Sequence, residues 1–211
     1  MLLPLALCFG EETGGSSGKM PLRDHDSGLL ALVGHNFYQT DRLQDVRPDD
    51  RLYIKTFDAE CGVLNSAEDG LLDLVNANTM GLTLGGLTDE NSAPISSFNL
   101  DLYGKSTLGL QVNVMMFSFA FMGGFKVGYD GLFCDASSFK QNSLYADFVL
   151  EPYISVNLFR TVKIMVVYEA DCPIFNINIT TQGAAPVPTY KWNWFGDDVP
   201  QSIKVGVSLF L

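Results

Sequence analysis

From Leu144 to Leu158 the even positions carry Leu144, Ala146, Phe148, Leu150, Pro152, Ile154, Val156 and Leu158. The odd positions include Tyr145, Asp147, Glu151, Tyr153, Ser155 and Asn157. A period of two is that of a strand with one oily and one wet face. The run far exceeds the roughly five or six residues of a typical globular strand, and suits a tilted strand that crosses a membrane and continues past it.

The same alternation recurs on both sides. After a very short link at Phe159–Thr161, Val162, Ile164, Val166, Tyr168 and Ala170 alternate with Lys163, Met165, Val167 and Glu169, which predicts a hairpin. Phe119 to Tyr129 forms another strand, joined by a tight link near Met115–Ser118 to Phe98–Val114. Ile203 to Leu211 is the last strand, and Leu29–Tyr38, Leu52–Leu64 and Leu72–Gly86 read as three more with less distinct faces. The total is eight. Links after the second, fourth and sixth strands are short or modest, and the others are longer, with Asp171–Gln201 the longest. Short turns on one side and long loops on the other are expected of a closed antiparallel up-and-down transmembrane β-barrel.

Composition narrows the picture further. The chain of 211 residues is 47% hydrophobic and 18% charged, yet it has no run of about 18 apolar residues that could form a transmembrane helix. Twenty glycines, fifteen phenylalanines and eight tyrosines suit short turns and lipid-facing aromatics. A net charge of −11 without basic clusters argues against nucleic acid as a partner.

Residues 1–10 are apolar through Leu2, Leu3, Leu5, Ala6 and Leu7 and read as the remnant of an export signal. Residues 11–27 read as a flexible segment, and 28–211 as one barrel domain. Leu5-Ala6-Leu7-Cys8 is also a weak match to a lipoprotein cleavage box. No C-x-x-C pair occurs, so neither zinc nor thiol redox chemistry is indicated. Cys134 and Cys172 fall in expected loops on the same side, which makes them candidates for a disulfide.

The ending Lys204-Val205-Gly206-Val207-Ser208-Leu209-Phe210-Leu211 resembles the terminal strand signal of bacterial outer-membrane barrels, with Lys204, Gly206, Leu209 and Leu211 at its marked positions. Phe148–Glu169 is similar to the late hairpin of OmpA- or OmpW-like eight-stranded barrels. The family pattern closes on an aromatic, whereas here Phe210 stands one place early. The resemblance implies a closed barrel in the bacterial outer membrane, with the lipid bilayer and the insertion machinery as partners.

Asp101, Lys105, Lys126, Asp147, Glu151, Lys163 and Lys204 lie on wet faces with both signs mixed. Eight strands leave an interior about wide enough for side chains to fill, so these residues are expected to form a polar network that plugs the lumen. Asp130 and Glu169, also on wet faces, are expected near strand ends in water. Tyr190, Trp192, Trp194 and Phe195 cluster in the longest loop as an interfacial belt or a contact site for a host or a small apolar ligand.

No cofactor or metal motif stands out. Gly104-Lys105-Ser106 matches the end of a phosphate loop but reads as strand. His25 and His35 show no nucleophile pairing, so the expectation is a non-enzyme. Four functions compete: a structural or surface-contact barrel with long outer loops, a narrow OmpW-like channel for small apolar molecules, a soluble secreted lipocalin-like binder with its oily rows inside, and last a barrel lipid hydrolase that rests only on His35 and nearby serines.

Overall fold

The computed structural model describes residues 26–40, 51–66, 71–135, 139–159, 161–182, 187–192 and 199–210. Nine strands are described: β1 (Asp26–Thr40), β2 (Leu52–Ser66), β3 (Leu72–Thr88), β4 (Ser97–Val114), β5 (Phe117–Cys134), β6 (Phe139–Phe159), β7 (Val162–Gln182), β8 (Val187–Trp192) and β9 (Gln201–Phe210). Each pairs antiparallel with its neighbours, in the order β6-β5-β4-β3-β2-β1-β9-β7, and β6 pairs with β7 to close the ring. The ring therefore has eight positions. Closure leaves no sheet edge at the height where β9 pairs with both β1 and β7. Among the described residues no helix is long and apolar enough to cross a membrane.

The eighth position is shared by two strands. β9 pairs with Val162–Ala170 of β7, and β8 pairs further along, with Phe175–Thr180 of the same strand. Asp171–Gln201 was expected to be one long loop, but β7 continues to Gln182 and the chain returns as β8 before β9 begins. One extra residue at Ile174 accounts for the difference: Asp147 pairs with Pro173 and Ala146 with Phe175, a bulge that swaps the faces of β7. Inward Lys163, Glu169 and Asp171 give way to Asn176 and Asn178, so a strict period of two stops there.

Link lengths sort only partly as the sequence suggests: the link after β5, expected to be long, is four residues, against five after β2, because β5 and β6 run on to Cys134 and Phe139. At the end holding both termini of the ring, β4 and β5 join through Met115 and Met116, and β7 begins at Val162, three residues after β6 ends at Phe159. Met115 adopts a φ of 57°, the left-handed conformation that matches hairpin twist. At the opposite end β6 and β7 reach 21 residues each. The barrel begins at Asp26, inside the segment expected to be flexible. The expected export segment and Cys8 lie outside the described residues.

Oily residues occupy the outer wall. Leu74, Met80, Leu108, Phe121, Phe125, Ile154 and Ile203 are all exposed, while Asp58, Lys105, Glu151 and Lys204 are buried inside. A lipocalin-like barrel would have the opposite arrangement. Toward the long-link end, Phe37 stacks on Tyr53 at 5.1 Å between ring centres and Phe98 on Phe133 at 6.4 Å, so aromatics edge the oily band there.

Candidate functional site

The lumen is filled in layers. On β2 the inward row reads Leu52, Ile54, Thr56, Asp58, Glu60, Gly62, Leu64 and Ser66, so one strand passes from oily to charged and back to oily. Near the long-link end Leu52, Ile54, Leu87, Leu132, Cys134 and Phe139 form one apolar layer. Toward the short-turn end Leu30, Leu32, Leu64, Val75, Met122, Met165, Val167 and Phe210 belong to the other. Charged residues lie between them.

Three lysines organise this middle layer. Lys204 Nζ lies 2.8 Å from Asp58, 2.7 Å from Glu60 and 2.9 Å from Glu169. Lys105 Nζ lies 2.8 Å from Glu60 and 2.5 Å from Glu169, and also pairs with Glu151. Lys126 Nζ reaches Glu169 at 3.1 Å and Asp171 at 2.7 Å. Tyr103 donates its hydroxyl hydrogen to Asp58 at 2.8 Å, and the Lys126 ammonium sits 4.1 Å from its ring centre. The network thus links β2, β4, β5, β6, β7 and β9, six of the eight ring positions. Buried ions are tolerated because each ammonium meets several carboxylates, and removing one partner would strand the others.

The backbone makes room for the large polar side chains. Gly81 pairs directly with Tyr103 and Gly128 with Tyr145, and a Cβ at either glycine would fall on the facing ring. Tyr145 donates to Asp101 at 2.8 Å, and Asn99 donates to Asp130 at 2.6 Å, above the three lysines. Near the short-turn end, Tyr153 donates to Gln111, and Gln111 donates to Ser66 at 3.1 Å.

All seven sequence-selected polar residues face inward. Lys105, Lys126, Glu151 and Lys204 meet in the central network, and Asp101 joins Tyr145 above it. Asp147 is buried on the same side. Lys163 stands apart near the short turns, 5.0 Å from the Phe210 ring centre. Asp130 and Glu169 were expected in water, but both are buried, and Glu169 contacts all three central lysines. Asp58 and Glu60 were overlooked, although Thr56, Asp58 and Glu60 alternate with Phe57, Ala59 and Cys61.

The expected Cys134–Cys172 disulfide is not formed: both thiols are free and lie in strands rather than loops. Cys134 pairs with Phe139 and Cys172 with Phe148, nine residues apart along β6. At about 3.3 Å per residue that separation is far beyond the roughly 7 Å between Cα atoms that a disulfide permits.

In the terminal strand, Lys204 points inward and Leu209 outward, and a Cβ at Gly206 would fall on the Ala31 carbonyl oxygen. Close approach of β1 is a local reason for that glycine. Leu211 lies outside the described residues, as do Trp194 and Phe195, while Tyr190 and Trp192 are in strand β8 rather than a loop. His35 is on the outer wall, paired across strands with Phe57 and Ile203. Gly104–Ser106 is strand, within β4.

Glu60, Glu151 and Glu169 bring ligand oxygens within 4.8 Å of one another, a spacing that could hold a metal ion. The Lys105 ammonium contacts all three, so the chain itself supplies the positive charge there.

No family model and no curated protein matches the sequence. Solved structures do match its shape. Neisserial surface protein A aligns with a TM-score of 0.57 at 11% identity, over 88% of this chain and 97% of that one. A major outer membrane protein from Thermus thermophilus aligns with a TM-score of 0.54 at 8% identity, over 89% and 100%. Ail, the attachment invasion locus protein of Yersinia pestis, aligns with a TM-score of 0.51 at 9% identity, over 89% and 99%. Identities this low speak for the fold alone. Together with the closed ring and its oily outer wall, they make this chain a small transmembrane β-barrel of the bacterial outer-membrane type.

Proposed function

We propose that the chain is a non-enzymatic, non-conducting outer-membrane barrel that serves envelope integrity or surface contact through the links at its long-loop end. The observation that carries this reading is the layered lumen, in which interlocked lysines and carboxylates lie between two apolar layers. An ion entering it would have to shed water against packed side chains and then break buried pairs. The terminal strand supports the insertion machinery as a partner, since Leu209 stands outward beside β1.

Planar-bilayer recording tests the reading. The purified, folded barrel is expected to give no sustained ion current, and regular open steps at modest voltage would overturn it.

One observation favours a second reading, a lateral passage for small apolar molecules. Beyond Asn36, β1 pairs only with β2 among the described strands, and β8 pairs only with β7. Among the described residues the wall is therefore not hydrogen-bonded continuously at that height. Uptake of a small aromatic hydrocarbon into vesicles carrying the barrel, with no accompanying current, would favour this second role.

A further inference from the structure

A polar patch interrupts the oily outer wall on β3 and β4. On β3 the outward row runs Leu72, Leu74, Asn76, Asn78, Met80, Leu82 and Leu84, and on β4 it runs Val114, Val112, Leu110, Leu108, Ser106, Gly104 and Leu102. Asn78 pairs directly with Ser106 across the two strands, so the polar residues of both rows meet. Oily residues continue above and below them on β3 and β4, which places Asn78 and Ser106 within the apolar band. Asn65 on β2 extends it, donating to Asn76 at 2.7 Å.

Ser106 donates its hydroxyl hydrogen to Asn78 Oδ1 at 2.8 Å, and both side chains are exposed on the outer wall. The Asn78 amide nitrogen then has two hydrogens with no acceptor among the described residues. Acyl chains offer none, and an amide left unpaired in hydrocarbon is costly. At Gly104, the next outward position on β4, an added Cβ would meet nothing within 4 Å, so the wall is bare beside the amide.

We propose that this patch is a contact between two copies of the chain, related by a two-fold axis along the membrane normal. Copies inserted in the same direction hold Asn78 at the same depth, so the patch faces its own equivalent without any vertical adjustment. An asparagine side chain is self-complementary: each Asn78 Nδ2 donates to the other copy's Asn78 Oδ1, whose second lone pair is still free while Ser106 occupies the first. Such an isologous pair satisfies both amides at once. Small or bare positions beside polar side chains are also what allows spanning elements to pack closely within a bilayer.

The inference rests on the barrel crossing a bilayer, which a heat-dependent gel shift reports separately. The test uses full-length chains labelled at the N-terminal amine with donor or acceptor dyes and reconstituted in phosphatidylcholine vesicles over a range of protein-to-lipid ratios. Energy transfer for the unaltered sequence is expected to exceed chance proximity and to fall on dilution with lipid. Asn78→Leu, a lipid-compatible replacement, is expected to keep the gel shift and to weaken association about tenfold, while Asn78→Gln retains most of it. Transfer no higher than chance for the unaltered chain would overturn the proposal, whether or not the variant folds. Equal association of a folded Asn78→Leu would do the same.

Discussion

On β6, Ile154 is 51% exposed on the outer wall, while Tyr153, its immediate neighbour in sequence, is 2% exposed in the lumen. The same contrast holds around the ring. The outer wall is almost entirely oily with scarcely a charge, and the lumen holds lysines, carboxylates and tyrosines in mutual contact. A soluble protein distributes these residues the other way, because water favours burying apolar area. Here the surroundings of the outer wall must be oily too, so cohesion comes from closing the strand ladder and satisfying polar groups inside.

The comparison can be broken most severely from within. Lys204→Met leaves Asp58, Glu60 and Glu169 short of a shared partner. The expected loss is about 3–5 kcal/mol, read as a lower urea midpoint for unfolding from vesicles. The outer wall fails in a different way: Leu108→Arg, deep in the oily band, should cost about 2–4 kcal/mol, and Leu72→Arg, near the short-turn end, about 0–1 kcal/mol. Equal costs at the two depths would mean that the wall does not sense a bilayer.

Smaller changes sharpen the account. Gly206→Ala puts a methyl group against the Ala31 carbonyl oxygen at the junction of β9 and β1. It is expected to cost about 1–3 kcal/mol through overpacking, seen in the same unfolding series. Tyr153→Phe removes the hydroxyl that donates to Gln111 and should cost about 1 kcal/mol. The Gln111 side chain would still be held by Ser66 and Asn113.

Faces were legible wherever large apolar residues alternated with polar ones without a break, as on β4, β5, β6 and β9. Those strands held six of the seven selected inward polar residues, Lys163 coming from the first half of β7, and the eight positions also needed the less distinct segments Leu29–Tyr38, Leu52–Leu64 and Leu72–Gly86. β2 was less clear because Lys55, Ala59 and Cys61 point outward, which flattens the contrast and hid Asp58 and Glu60. β7 was cut short at Ala170 because the bulge at Ile174 changes which parity faces inward, and a bulge leaves no mark in a period count. β8 was missed for a related reason: it has a single partner, and Pro188 lies within it, a residue that suits an edge and argues against a central strand. Glu169 looked like a strand end only while β7 was taken to stop there. The disulfide expectation failed because both cysteines lie within strands that run further than their alternation showed, and so sit at well-separated heights along β6.

The most direct test of the two faces is quenching of single tryptophans by phospholipids with brominated acyl chains, in a background where Trp192 and Trp194 are replaced by Phe. Tryptophan at Ile154 should be strongly quenched, and tryptophan at Tyr153 should be left nearly unaffected. Strong quenching at Tyr153, with Ile154 protected, would contradict an oily outer wall around a closed polar interior.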